Sequence, residues 1–184
     1  MEPRSIWYHR TTGIWQTAWI EQVSRTYIGK IRWTPRLVGF AVDFEVRLAG
    51  ELVPDLIVEV ELRHAGRVLA KDSYRAVDCE ANQRIFLSDP GIYDFRNEIL
   101  WSPGRPTLLD ADVRLKQGNK VLDEVKSYTA LRSVDIVRDR FVLNGRPYLL
   151  RLVLDQGYWP DTILAAPNGD ALRRDVELVK SMGV

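Results

Sequence analysis

Within one short stretch, Asp155, Gln156, Tyr158 and Trp159 offer a carboxylate, an amide and two aromatic rings. Oxygens of that kind bridge hydroxyl groups, and flat rings stack on C–H faces, so the chemistry these residues suit is sugar recognition. The competing reading is local: Asp155 starts a turn, and Tyr158-Trp159 form an apolar plug. A second aromatic set, Trp7, Tyr8, Trp15 and Trp19, is either a sugar platform or, more ordinarily, the core of a domain interface. Asp110 and Asp112 lie two apart on an extended stretch and share a face, the arrangement of a paired acid and base. They alternate with Leu109, Ala111 and Val113, which belong inside, so a solvated outer face is the expected reading.

Metal and redox chemistry find little support. His9 and His64 are the only histidines, too few for a three-histidine zinc site and far apart in the chain. The single cysteine, Cys79, excludes an internal disulfide and a multi-thiolate site. It has no basic neighbour in sequence to make it a thiolate and reads as a buried or idle thiol. No metal and no organic cofactor is expected.

The elements that position these groups are mostly strands. With 46% hydrophobic and 28% charged residues the chain of 184 is of ordinary globular composition. A chain of this length buries roughly 70% of its unfolded surface, so it needs no disulfide or metal to fold. Its 26 Lys+Arg against 25 Asp+Glu leave a formal charge of +1, which argues against a nucleic-acid partner and against a polybasic membrane anchor. No run approaches eighteen apolar residues, so no membrane-spanning segment is expected. Met1–Arg10 lacks a basic-then-apolar signal pattern, which leaves the compartment open.

From about residue 14 to 132 the dominant period is two. Val38, Phe40, Val42, Phe44, Val46 and Leu48 share one face, and Leu56, Val58, Val60 and Leu62 repeat the pattern. His64-Ala65-Gly66-Arg67 reads as a hairpin turn into Val68–Ala70. Further strands are expected at Tyr27–Trp33, Arg84–Leu87 and Leu108–Leu115, the last turning at Gln117–Lys120 into Val121–Leu131. About seven antiparallel strands at this spacing predict a β-sandwich. An upstream strand, Ile14–Val23, is assigned to a preceding unit.

After residue 133 the pattern changes. Phe141–Leu143, Asn144-Gly145 and Arg146–Tyr148 form a hairpin signal, because Asn-Gly supplies both positive-φ residues of a type I′ turn. Tyr148–Leu154 is almost continuously apolar, as in a strand covered on both faces. A loop, Asp155 to Gly169, precedes a helix with Asp170 as N-cap, Leu172, Val176, Val179 and Met182 at helical spacing, and Gly183 at its end. Four such side chains represent about 6–12 kcal/mol of burial at about 1.5–3 kcal/mol each, which a single strand-helix unit cannot supply to itself. The natural chain is therefore expected to continue past Val184 into further βα units.

Four stretches, in order, resemble glycoside hydrolase family 2. Thr12-Gly13-Ile14-Trp15-Gln16-Thr17-Ala18-Trp19 is similar to the strand that ends its amino-terminal sugar-binding jelly roll. Trp101-Ser102-Pro103-Gly104-Arg105-Pro106 is similar to a loop of its sandwich domain. Leu143-Asn144-Gly145-Arg146-Pro147 resembles the hairpin that enters its barrel, and Arg173–Lys180 the helix after the first barrel strand. The resemblance implies the end of a jelly roll (1–24), an immunoglobulin-like antiparallel β-sandwich (25–133) and the first βα unit of a truncated TIM barrel (134–184), a mainly β chain.

It further implies a parent that hydrolyses a β-glycoside with retention, using two glutamates on later barrel strands, so no catalytic residue is expected in this chain. Asp155, Gln156, Tyr158 and Trp159 would then follow the carboxyl end of the first barrel strand, where barrel sites are built. One departure bears on substrate. Where the family commonly reads R-G-x-N-x-H, this chain has Arg151-Leu152-Val153-Leu154-Asp155-Gln156, with Leu154 in the asparagine place and Gln156 in the histidine place. The identity of the sugar does not carry over. The alternative function is a non-catalytic sandwich module that binds carbohydrate or protein.

Overall fold

The structure, a computed structural model, describes residues 12–87 and 96–184. The expectations resting on Trp7, Tyr8 and His9 lie outside the described residues. The chain divides into two compact units, one of Gln22–Tyr148 and one that joins residues 12–21 to 149–184.

In the larger unit, β1 (Thr26–Arg36), β2 (Ala41–Gly50), β3 (Leu56–His64), β4 (Arg67–Arg75) and β5 (Glu80–Phe86) precede a single helical turn, α1 (Arg96–Ile99). β6 (Leu109–Gln117), β7 (Lys120–Thr129), β8 (Val134–Val137), β9 (Arg140–Leu143) and β10 (Arg146–Pro147) follow. Two antiparallel sheets, ordered β1-β2-β5 and β4-β3-β6-β7, carry the seven strands that the spacing predicts. A small third sheet, β10-β9-β8, comes after them.

Alternation explains the core. Phe44, Val46 and Leu48 of β2, Val58, Val60 and Leu62 of β3, and Val113 and Leu115 of β6 are buried in one cluster drawn from both sheets. Each contributes about 1.5–3 kcal/mol on burial. The charged residues between them fall on the outer faces. The β1 and β7 edges are laced by side chains: Asp123 Oδ2 accepts from the Ile28 amide at 2.8 Å, and the Trp33 indole donates to Ser127 Oγ at 3.1 Å.

The inward run of β2 starts later than its pattern predicts. Residues 37–40 form the turn between β1 and β2, which meet at Arg36 and Ala41, and Val38 is 95% exposed. Gly39 and Phe40 take positive φ, and the Phe40 amide closes the turn on the Leu37 carbonyl at 3.2 Å. The chain must reverse within four residues, and that requirement overrides two more steps of alternation. At Ala65-Gly66 and Asn144-Gly145 both turn residues have positive φ, as type I′ hairpins require.

The smaller unit departs further from expectation. Residues 14–23 form no strand, and Ile14 and Ile20 are exposed. Tyr148 donates one last amide to the Phe141 carbonyl, and from Leu149 to Leu154 no ladder forms. Leu149, Leu152 and Leu154 are each about four-fifths exposed. A strand apolar on both faces is stable only with strands on both edges and layers above and below; no described strand pairs with this segment, and the strand of the expected βα unit is not seen among the described residues. Its helix is present as α2 (Gly169–Ser181), but the cap is Asn168, whose Oδ1 accepts from the Ala171 amide at 2.8 Å. Asp170, expected as N-cap, lies inside the first turn, where its charge complements the helix dipole. Gly183 ends the helix at φ 80, as predicted.

Candidate functional site

The loop that follows Leu154 is built by local hydrogen bonds. Asp155 Oδ1 accepts from the Gly157 amide at 2.8 Å, and Gly157 adopts φ 64. Trp159 and Ile163 exchange both backbone hydrogen bonds, at 2.7 and 2.9 Å, across a tight reversal. The Thr162 hydroxyl donates to the Ala165 carbonyl, and Asn168 then starts α2. Asp155 therefore spends one carboxylate oxygen on its own turn, and the residue is exposed.

An open groove of about 420 Å³ lies between this loop and α2. Asp155 and Trp159 line it together with Asp175, Lys180 and the apolar side chains of Val153, Val176 and Val179. The groove wall is mainly apolar, and the carboxylates of Asp155 and Asp175, the Lys180 ammonium and the Trp159 ring are the other groups along it. Gln156 and Tyr158 are not on the lining: Gln156 is exposed, and the Tyr158 side chain is half-buried. Asp175 and Lys180 were not singled out from the sequence. Their signal is helical spacing, since Asp175 is three residues after Leu172 and four before Val179 and so borders the same stripe.

The aromatic set is only partly described. Trp15 and Trp19 are exposed, border a wide depression with Leu164, Asn168 and Leu172, and are not buried together; the Trp19 indole donates to Glu21 Oε1 at 3.0 Å.

On the sandwich, several acidic residues are held by cations. Asp112 accepts from Arg63 at 2.6 Å, while Asp110 stays exposed on the same outer face, so the two do not form an acid–base pair. Arg63 also holds Glu61 at 2.6 Å, and Lys71 holds it at 2.9 Å. Hydrogen bonds from Lys71 and then Arg63 keep the Glu61 carboxyl below its usual range. Asp43 sits between Arg84 and Arg36, both at 2.6 Å, and their hydrogen bonds lower its pKa to about 2. Arg47 does the same to Glu80 in direction. Cys79 is a free thiol, half-buried against the core edge in a two-residue turn. Among the described residues no group of three or more His, Cys, Asp or Glu gathers to hold a metal. No described helix is long and apolar enough to cross a membrane.

The family model of glycosyl hydrolases family 2 matches residues 26–132, from the first residue of β1 to just past β7. No curated protein matches the chain. Among solved structures it is similar to the β-glucuronidase from Ruminococcus gnavus, in its apo form and in complex with uronic isofagomine, each at TM-score 0.66 and 22% identity. The complex of that enzyme with D-glucuronic acid aligns equally well. The alignments cover 85% of this chain and 24–25% of those chains, so the chain spans about a quarter of their length. At that identity the likeness establishes the fold.

Proposed function

The chain belongs to glycosyl hydrolases family 2, and from that premise we propose that it is the sandwich-bearing part of a retaining β-glycosidase. In this reading residues 25–133 are a spacer that supports a barrel, 1–24 end a sugar-binding jelly roll and 134–184 open the barrel. Asp155, Gln156, Tyr158 and Trp159 contribute to the sugar pocket, and the reactive carboxyls belong to other parts of the parent. The observation that carries the proposal is the family match over the whole sandwich.

Electrostatics support the division of labour. Retention requires two carboxyls about 5–5.5 Å apart, one a nucleophile and the other an acid with a raised pKa. Among the described carboxyls, each resolved shift runs downward, at Asp43, Glu61 and Glu80, toward permanent ionisation. Such groups hold a fold together and do not deliver protons near neutrality. The β-linkage is the substrate class proposed; Leu154 and Gln156 replace the family's usual asparagine and histidine and leave the sugar to be found by assay.

The test is to express the complete reading frame that encodes these residues and assay it on a panel of chromogenic β-glycosides, following the anomer released. The 184-residue chain alone is expected to turn over none of them, and the parent to release the retained anomer of at least one. A parent that hydrolyses nothing, or that inverts, overturns the proposal. Exposed Trp15 and Trp19 favour a second reading, a module that binds glycans without cleaving them. Calorimetric binding of a glycan by an inactive parent, lost in Trp15→Ala and Trp19→Ala, would support it.

A further inference from the structure

Asn144 does more than its turn requires. A type I′ hairpin asks of its first residue only a positive φ, which Asn144 supplies at 51°. Its side chain is half-buried and makes two further bonds. Oδ1 accepts from the Ser133 amide at 3.0 Å, and Nδ2 donates to the Trp101 carbonyl, 43 residues away in the chain, at 2.9 Å. A backbone amide can only donate and a carbonyl can only accept, so the partners themselves fix which way the amide points.

The place it fills is a break in a ladder. Leu100 and Leu131 form a parallel bridge, and the Trp101 amide donates to the Leu131 carbonyl at 3.0 Å. In a continued parallel ladder the Ser133 amide would next donate to the Trp101 carbonyl. The Asn144 amide stands between those two groups and bonds both, as an inserted peptide would. Its own backbone amide donates to the Ser133 carbonyl at 3.0 Å, a second tie to Ser133. Arg132, whose guanidinium lies 4.6 Å from the centre of the Trp101 ring, closes over the junction.

We infer that Asn144 is a positioning residue: its amide rivets the β9–β10 hairpin to the Trp101–Pro106 loop and to Ser133, and so fixes where the chain leaves the larger unit at Tyr148. Asn144 touches no candidate ligand group; it acts through the backbone it holds. This does not depend on which glycoside the parent cleaves, or on whether it cleaves one. It gives a physical reason why a Trp-Ser-Pro loop and a Leu-Asn-Gly hairpin occur together in this chain.

The turn and the rivet can be separated. Gly-Gly and Asp-Gly are as acceptable as Asn-Gly in a type I′ turn, so Asn144→Gly and Asn144→Asp preserve the hairpin. Asn144→Gly removes the amide, and Asn144→Asp sets a carboxylate oxygen against the Trp101 carbonyl. Amide hydrogen exchange by NMR on the 184-residue chain reads the result. In Asn144→Gly, Ser133 is expected to exchange about tenfold faster, the order of one lost hydrogen bond, while Tyr148, bonded to Phe141 within the hairpin, keeps its protection. Asn144→Asp is expected to lower the melting temperature, although Asp-Gly suits the turn. The inference is overturned if Ser133 exchange in Asn144→Gly equals that of the unsubstituted chain, or if Ser133 and Tyr148 lose protection together. Wild-type melting of both variants would likewise overturn it.

Discussion

Phe44→Ala tests whether the two sheets close over a single core. Phe44 is fully buried, and its ring lies 4.6 Å from that of Trp33 with 30° between their planes. Removing the ring forfeits its transfer free energy and leaves a cavity among side chains from both sheets, a cost of about 3–5 kcal/mol. The ring pair accounts for about 0.5–1.5 kcal/mol of that. For a unit the size of Gln22–Tyr148, about 4 °C is lost per kcal/mol, so the melting temperature should fall by about 12–20 °C. The assay is circular dichroism of the sheet signal on heating, with urea titration at 25 °C to verify an unchanged slope. Phe44→Leu refills most of the space and should cost less than half as much. A melting temperature within about 3 °C of the unsubstituted chain would mean that Phe44 does not sit at a closed interface between the sheets.

Gly50→Ala should destabilise the same unit by more than about 2 kcal/mol in urea titration, because Gly50 has φ 87 and an added Cβ would lie 1.9 Å from the Arg25 carbonyl oxygen. Acid should weaken the sandwich in a defined window: Asp43 is held at about 2 against 3.8 when unpaired, so its contribution is complete above about pH 5 and is lost progressively as pH falls through 3.8 toward 2. Melting followed between pH 7 and 2 should therefore show a shallower acid limb in Asp43→Asn, and an identical limb would remove Asp43 from the account. Leu172→Asp should leave the melting of this chain within about 0.5 kcal/mol, since Leu172 is exposed and a carboxylate in the first turns of α2 favours the helix. A large loss there would mean that α2 is buried in solution.

Much of the sandwich was legible because its signals are local. Alternation in β3 and β6 marks the buried face residue by residue, and the turn residues His64–Arg67 and Asn144-Gly145 mark the hairpins. The errors sit where local and longer-range requirements disagree. β1 runs through Pro35 to Arg36 instead of stopping near Trp33, because an edge strand can spare one amide. β8 was not foreseen: its four residues are all exposed, so no burial pattern marks it. Pairing with β9 holds it, and pairing leaves no trace in composition.

The candidate site was harder to read for a related reason. An apolar run states a need for cover and says nothing about what supplies it. Val58, Val60 and Leu62 find their cover within the chain, on β2 and β6, and are buried. Leu149, Leu152 and Leu154 are as apolar, yet no described strand pairs with them, and they remain exposed together with Leu172 and Val176 of α2. Periodicity therefore predicted the helix, which is closed by its own hydrogen bonds and by Asn168, and failed for the strand, which is not. The same distinction separates Asp155 and Trp159, which line the groove, from Gln156 and Tyr158, which do not. All four lie in one short segment, whose path is set by the turn made by Asp155 and Gly157 and by the Trp159–Ile163 reversal. Residue type names the chemistry available along this loop; backbone geometry selects which of it can be used.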